Sequence, residues 1–548
     1  MKAKYSTTFW TNVSSFLNQN DLLNLAQTSK FFKEEISKPR LYHTIHIKEN
    51  PIMRSEVRHL DSGITYVTGY RGIVKTNNQN DIFLYDKIER LLENSSCLDL
   101  IKRLTIESGL FQDENSGLQL LTQLLDRLIR IGNIERLIIE DQKLFDIYYE
   151  RMLHLDHLQE ICLLNFEHLD RVASLKNLKK ITFTFQSSDV TSIHIDEEQK
   201  KRLTAGLETL TLNMADSSSL YLTQFLDSQG FRFHNIRSLK FNHIHQLSDK
   251  KTSFQEVDID HINSIFNFGQ LTHLEMEVGC ENNGCVCLDE FLMALSPTLR
   301  SLNSLGVRQN PSKKNHSHYS DEQWDLSICK FILSIPNVDS NLKCLSVRHR
   351  PPYNGIGEDT VEGNYIRRRR LFEEMLPHLQ YLEKLIVPKM LQSVSAYEIL
   401  VCDLLWNGCK CSHCNHFLPI IDEYMMNHQI RQRNRQKHED MLPNNLFAYV
   451  GNALARRFPK DSGWDIELLD AAPAHYFWNF HGYEDIQHFK DYDCYFNAQF
   501  FQALTKCVAH FFDGYMSFVV QCLPSLKCAL LSGIYYDVSG YYFKSIYD

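Results

Sequence analysis

One short pattern recurs along most of this chain: an apolar residue, two positions of any kind, an apolar residue, one of any kind, and an apolar residue. It stands at Ile101-Leu104-Ile106, Ile134-Leu137-Ile139, Leu158-Ile161-Leu163, Leu178-Ile181-Phe183, Leu207-Leu210-Leu212 and Ile236-Leu239-Phe241. It returns at Leu271-Leu274-Met276, Leu302-Leu305-Val307, Leu342-Leu345-Val347, Leu382-Leu385-Val387 and Leu526-Ala529-Leu531. In extended backbone the last two apolar positions point to one face, so each instance reads as a strand with one buried side. Helical stripes lie between the strands. Leu118, Leu121, Leu124, Leu125 and Leu128 form one; Ile262, Ile265 and Phe266 begin another; Phe291, Leu292 and Leu295 make a third, and Ile328, Phe331 and Ile332 a fourth. Each lines one side of a 3.6-residue helix. Helix-then-strand units of this kind bury their faces only against the next unit, which stacks the strands into a parallel sheet. The expected class is therefore α/β. A run of αβ units in a compact domain is the alternative, but no Gly-rich phosphate loop stands at any strand-to-helix turn, which weakens its nucleotide-binding version.

The spacing is uneven. Ile134 and Leu158 begin words 24 residues apart, whereas Leu342 and Leu382 are 40 apart. Only Leu158-x-x-Ile161-x-Leu163-x-Asn165 continues to an asparagine. The array resembles degenerate leucine-rich repeats, which implies an irregular solenoid presenting a binding surface. Polar stretches from Pro311 and from His349 are expected to be loops.

Before the first word lies a short helical module. Phe9, Val13, Phe16 and Leu17 share helical spacing, and Asn18-Gln19-Asn20-Asp21 is a polar break with Asn20 or Asp21 as the expected N-cap of the next helix. Leu22, Leu23, Leu25 and Ala26 start a second apolar face, which Phe31, Phe32 and Ile36 continue. Pro39 is expected to stop the helix, and Leu41 to Ile47 to be extended. The order Val13…Phe16-Leu17, Asp21-Leu22-Leu23…Leu25-Ala26…Thr28-Ser29-Lys30-Phe31-Phe32 and Pro39-Arg40-Leu41-Tyr42 resembles the F-box. The resemblance covers about forty residues. It departs from the family at the start, where Tyr5-Ser6 replaces the usual Leu-Pro pair and Thr8 the usual Glu. It implies that Phe9, Val13, Phe16, Leu17, Leu22, Leu23, Leu25, Pro39 and Leu41 form an apolar dock for a Skp-type adaptor. A module this small cannot cover all its leucines alone.

Composition excludes several classes. The net charge is −9, without the basic face that nucleic acid requires; Arg367 to Arg370 stand beside Glu373 and Glu374 and read as a solvated helix end. No stretch is long and apolar enough to span a bilayer, and the first residues lack a secretory h-region. The fifteen cysteines are an odd number spread over a long chain, as expected for reduced thiols in the cytoplasm or nucleus.

The segment WNGCKCSHCNHFLPIIDEYMMNHQ is the exception to examine. Cys409, Cys411 and Cys414 are spaced so that a short turn can aim soft sulfur ligands at one zinc ion. His428, on the expected following helix, is the favoured fourth ligand, with His416 and Cys402 as alternatives. One structural zinc is thus one reading; free thiols packed as small apolar residues are the other. Cys280, Cys285 and Cys287 form a second group with no fourth ligand nearby.

From Met441 the word disappears and aromatics become dense, from Tyr476 to Phe501. A helix over Cys507–Cys522 precedes the final word. This region reads as a capping subdomain, with Tyr535, Tyr536, Tyr541, Tyr542 and Phe543 as an exposed patch beyond the last strand. The expected organisation is an F-box-like module over 1–50, a linker and first cap over 51–95 and a leucine-rich-repeat-like solenoid over 96–400. A Cys/His-rich insertion over 401–440 and a C-terminal cap over 441–548 complete it. No nucleophile-base set, carboxylate pair or cofactor loop is evident, so the chain reads as non-enzymatic. The F-box resemblance implies a substrate-recognition subunit of an SCF-type cullin-RING ubiquitin ligase, with an unknown client on the solenoid and the cullin reached through the adaptor. Two alternatives stand beside it: a Skp complex without ligase activity that sequesters or regulates a client such as a small GTPase, and a repeat scaffold that needs no adaptor.

Overall fold

The computed structural model describes residues 7–15, 17, 19–48, 63–68, 79–111, 115–185, 195–214, 219–242, 259–279, 287–309, 321–348, 372–387, 410–416, 513–531 and 534–545. They fall into two compact units. The first holds residues 1–71, 75–243 and 260–267, and the second 72–74, 244–259 and 268–548.

The first unit opens with helices α1 (Thr7–Ser14) and α2 (Gln19–Thr28), a π-helical stretch over Phe32–Ser37, and α3 (Lys38–His43). The last runs straight into strand β1 (Thr44–Lys48). Strand β2 (Thr65–Thr68) and helix α4 (Gln79–Glu93) follow. The repeat strands are β3 (Arg103–Ile106), β4 (Arg136–Ile139), β5 (Glu160–Leu163), β6 (Lys180–Phe185), β7 (Thr209–Met214) and β8 (Ser238–Phe241). Their order is β2-β1-β3-β4-β5-β6-β7-β8, and every neighbouring pair is parallel.

In the second unit β9 (His273–Val278), β10 (Ser304–Gln309), β11 (Cys344–Arg348), β12 (Lys384–Val387) and β13 (Cys528–Leu531) are parallel neighbours. β14 (Ile534–Ser539) then turns back antiparallel on β13, and β15 (Tyr542–Ser545) antiparallel on β14. Alternating strands and helices in a mostly parallel sheet are consistent with a leucine-rich-repeat-like solenoid.

Every instance of the word is a strand entry, and all three of its apolar residues are buried, at 4% exposure or less. Register is enforced by the backbone just before each strand. The Lys102 carbonyl accepts the amides of both Glu135 and Arg136, and the Glu135 carbonyl accepts those of Gln159 and Glu160. Gln159, Lys179 and Glu208 continue the series in the first unit; Thr272, Asn303, Lys343 and Glu383 repeat it in the second. A carbonyl has two lone pairs, so each of these serves two donors of the next repeat at 2.7–3.3 Å. A one-residue slip would break both bonds and turn the buried face outward. Because the device is local, the length between repeats is free to vary. Glu383 and Lys527 are 144 residues apart, yet they form the same bracket and add an ion pair at 2.5 Å.

The structure corrects five sequence expectations. α2 begins at Gln19, so Asn20 and Asp21 lie inside its first turn and neither is the N-cap. The helix does not stop at Pro39, which sits in the first turn of α3, where a missing N–H leaves no bond unmade. The widened π-helical turn ahead of it shifts the hydrogen-bond register so that the helix restarts there. Of the expected extended segment from Leu41 to Ile47, only the part from Thr44 onward is strand, in β1. β2 lies inside the expected linker and first cap; its signal was the β-branched and aromatic run Ile64-Thr65-Tyr66-Val67-Thr68 between Gly63 and Gly69. The tail is not simply beyond the last strand. It adds β14 and β15, which bury Tyr536 against Phe543 at 5.7 Å between ring centroids while Tyr541 and Tyr542 stay exposed. The stretches from Pro311 and His349, Arg367 to Arg370, and the aromatic run to Phe501 lie outside the described residues.

Candidate functional site

The helical module before β1 is built on a few close contacts. Hydroxyls turn back on the helix ends: Ser14 donates to the Thr11 carbonyl, Ser15 to Asn12, and Thr28 to Leu25. Ser29 Oγ accepts the Phe32 amide at 3.3 Å and helps start the next helix. Trp10 meets Phe32 edge to face at 4.8 Å, and Phe9 meets Trp10 at 5.4 Å. These T-shaped contacts set positive ring edges against negative faces and fix α1 on the π-helical stretch.

The expected dock residues differ in exposure. Leu22 (1% exposed) and Leu41 are buried in the chain's own packing, beside the buried Ile36. Phe9 (43%) and Leu23 (44%) face outward. Val13, Leu17, Leu25 and Pro39 are half-buried between them, and Phe16 lies outside the described residues. Phe9 and Leu23 are thus the large apolar side chains that the described part of this module leaves open.

The module is bolted to the sheet. α3 continues into β1 without a linker, and the Lys102 amide donates to the His43 carbonyl. Lys38 Nζ donates to Ser96 Oγ at 3.1 Å. Gln19 Oε1 accepts the Tyr66 amide at 3.0 Å, and Gln19 Nε2 donates to the Tyr66 carbonyl at 3.5 Å.

Charge is concentrated where the module joins the sheet. His46 Nε2 and Lys48 Nζ lie 3.1 and 3.4 Å from Glu107 Oε1. Burial alone would raise the Glu107 carboxyl, but the His46 and Lys48 contacts outweigh it and hold it below the ordinary range. Glu140 is pushed up, by burial first and then by the nearby Glu107, against the smaller lowering pull of His46, the Ser108 backbone and Lys48. Burial, helped by Arg103, lowers the His43 imidazole. Burial also pushes the Cys162 and Cys329 thiols up to about 12, so they pack as protonated, unreactive side chains.

Of the expected zinc ligands, Cys411 and Cys414 are described, while Cys409, His428 and the alternative Cys402 are not. The Cys414 amide points at Cys411 Sγ at 3.4 Å, at the start of a single helical turn over 412–416. His413 and His416 lie in the same turn. No three His, Cys, Asp or Glu side chains among the described residues converge as a metal site. Cys280 and Cys285 lie outside the described residues, and Cys287 begins the helix Cys287–Leu295. No helix among the described residues is long and apolar enough to cross a membrane.

No protein-family model matches the chain. It is 42% identical over 545 residues to the non-SCF-type F-box protein ROY1 of Saccharomyces cerevisiae, a match covering 98% of each chain. The match is nearly end to end, so it includes the helical module as well as the repeats. Identity at this level over nearly the whole of both chains, the helical module included, shows the family: the chain belongs to the F-box proteins.

Proposed function

We propose that this protein is the client-holding subunit of a Skp-adaptor complex that works without a cullin. The observation that carries this reading is the near end-to-end similarity to a relative named as non-SCF-type. The outward Phe9 and Leu23 suit an adaptor groove, where buried aromatic and aliphatic anchors supply most of the binding energy. The repeat sheet holds the client, and the protein acts by sequestering or positioning it in the cytoplasm or nucleus. A small GTPase is the kind of client such a complex would regulate. The protein contributes no catalytic residue.

The test is affinity purification of the tagged full chain from its own cells, beside a Phe9→Asp, Leu23→Asp variant. Adaptor without cullin, lost in a variant that stays folded, supports the proposal. Cullin in stoichiometric amount, with client abundance rising when the protein is deleted, would replace it with the ubiquitin-ligase reading. Absence of adaptor from the native complex would leave a repeat scaffold.

A further inference from the structure

We infer that the client lies as an extended, acidic segment on the outward face of β6, β7 and β8, held largely through its main chain. This deepens, and rests on, the reading that the repeat sheet holds a client. Ile181, Phe183, Leu210, Leu212 and Leu239 are buried in the first unit, so the residues alternating with them share the opposite face. In register across the three strands these are Lys180, Thr209 and Ser238, then Thr182, Thr211 and Lys240, then Thr184 and Asn213. Lys180 is exposed and the others are half-buried. Thr184 accepts the Cys162 thiol at 3.7 Å. The side chains of Thr182, Thr209, Thr211, Asn213 and Ser238 have no hydrogen-bond partner among the described residues. The same face of β1 to β5 is already committed. Arg103 pairs with Glu135, Arg136 with Glu160, His46 and Lys48 with Glu107, and Ile138 and Cys162 are buried.

The chemistry of this block selects its occupant. A hydroxyl both donates and accepts, so a row of them pairs with N–H and C=O groups alike. Along one edge of an extended segment those groups recur at every second residue, about 6.6 Å apart. Thr209, Thr211 and Asn213 have the same spacing along β7. The first unit already contains such a pairing: the Gln19 side-chain amide accepts the Tyr66 N–H and donates to its carbonyl. The Asn213 amide has the same groups to offer. Charge narrows the choice further. The ionised side chains of the block are Lys180, which reaches Glu160 at 3.9 Å, and Lys240; both are cations. Two lysines among neutral hydroxyls complement a segment carrying one or two carboxylates, whereas a polyanion calls for a denser basic face.

The experiment uses the full chain in the complex purified from its own cells. The photo-crosslinker p-benzoylphenylalanine is placed at Ser238, or at Glu197 on the exposed helix Glu197–Gly206 as a control. The client peptide joined at Ser238 is identified by mass spectrometry, synthesised, and titrated against the native chain. It is expected to contain Asp or Glu, and to weaken about threefold when these become Asn or Gln. N-methylation at alternate residues, which deletes main-chain donors, should weaken it at least tenfold, on the order of two hydrogen bonds. Thr182→Val, Thr211→Val, Asn213→Ala should do the same, with adaptor binding and the denaturation midpoint unchanged. If that triple variant does not fold, the N-methylated peptides decide against the native chain alone. A client joined at Glu197 and not at Ser238, a peptide that does not bind or lacks carboxylates, or affinity indifferent to N-methylation would each overturn this inference and leave the client-holding role standing. A complex with no client would end that role, and this inference with it.

Discussion

The side-chain amide of Gln19 pairs with the backbone of Tyr66 as a neighbouring strand would, accepting its N–H and donating to its carbonyl. Among the described residues β2 is the edge of its sheet, and an edge strand presents backbone groups that no further strand pairs. One residue of α2 therefore closes part of that edge and ties the helical module to the repeats. Gln19→Ala should cost about 1 kcal/mol for each bond lost. Hydrogen exchange should show Tyr66 opening faster, with protection at β5 and β6 unchanged. Equal exchange in variant and native protein would show that the pairing contributes nothing.

Adjacent leucines in α2 should behave oppositely. Leu22→Ala removes a side chain from the interior of the helical module and should destabilise it by about 2–5 kcal/mol. Leu23→Ala should leave the denaturation midpoint within about 0.5 kcal/mol of native and weaken adaptor binding instead. Calorimetric titration with purified adaptor and a thermal melt of each variant separate the two effects. Loss of binding in neither folded variant would move the dock elsewhere on the module.

His168 is wedged between Phe145 and Tyr149, with ring centroids at 5.2 and 4.1 Å. Its Nδ1 is buried and has no hydrogen-bond partner among the described residues. Burial therefore lowers its pKa, as it does for His43, against the raising effect of Asp146 and its neighbours. Between the folded pKa and an unfolded value of about 6.5 the unfolded chain holds more protons. Stability is then complete above about pH 6.5 and is lost as pH falls through the folded values. His168→Phe should flatten this slope, because the ring contacts remain and no proton is taken up on unfolding at that position. Denaturation midpoints compared between pH 7.5 and 5.5 test it; an unchanged slope would assign the dependence elsewhere.

Trp324, fully buried in the second unit, donates its indole N–H to the Val278 carbonyl at the end of β9, at 3.0 Å. Trp324→Phe keeps most of the apolar volume but leaves that carbonyl short of a donor, at a cost of about 1–3 kcal/mol. Trp324→Ala adds a cavity and should cost about 3–5 kcal/mol. Chemical denaturation followed by exchange at β9 and β10 measures both. Equal stability of the Phe variant and the native chain would remove the bond from the account.

Local periodicity determined most of the strands before any coordinates. Leu207-Leu210-Leu212 or Leu342-Leu345-Val347 can bury all three side chains only in one extended register, so the sequence alone states where each repeat begins. The order of apolar residues from Phe9 to Leu41 likewise carried the F-box resemblance. The tertiary structure decided what depends on neighbours distant in the chain. Leu22 and Leu23 are the same residue type in one helix, and only what packs against α2 makes the first interior and the second exposed. β2 and β14 lack the repeated word and exist because β1 and β13 offer them backbone partners. Lys527 finds Glu383 across 144 residues because the double acceptor at Glu383 is satisfied by the next repeat wherever the chain supplies it. Side-chain period is a property of a few consecutive residues; the choice of face and partner belongs to the surface each element meets.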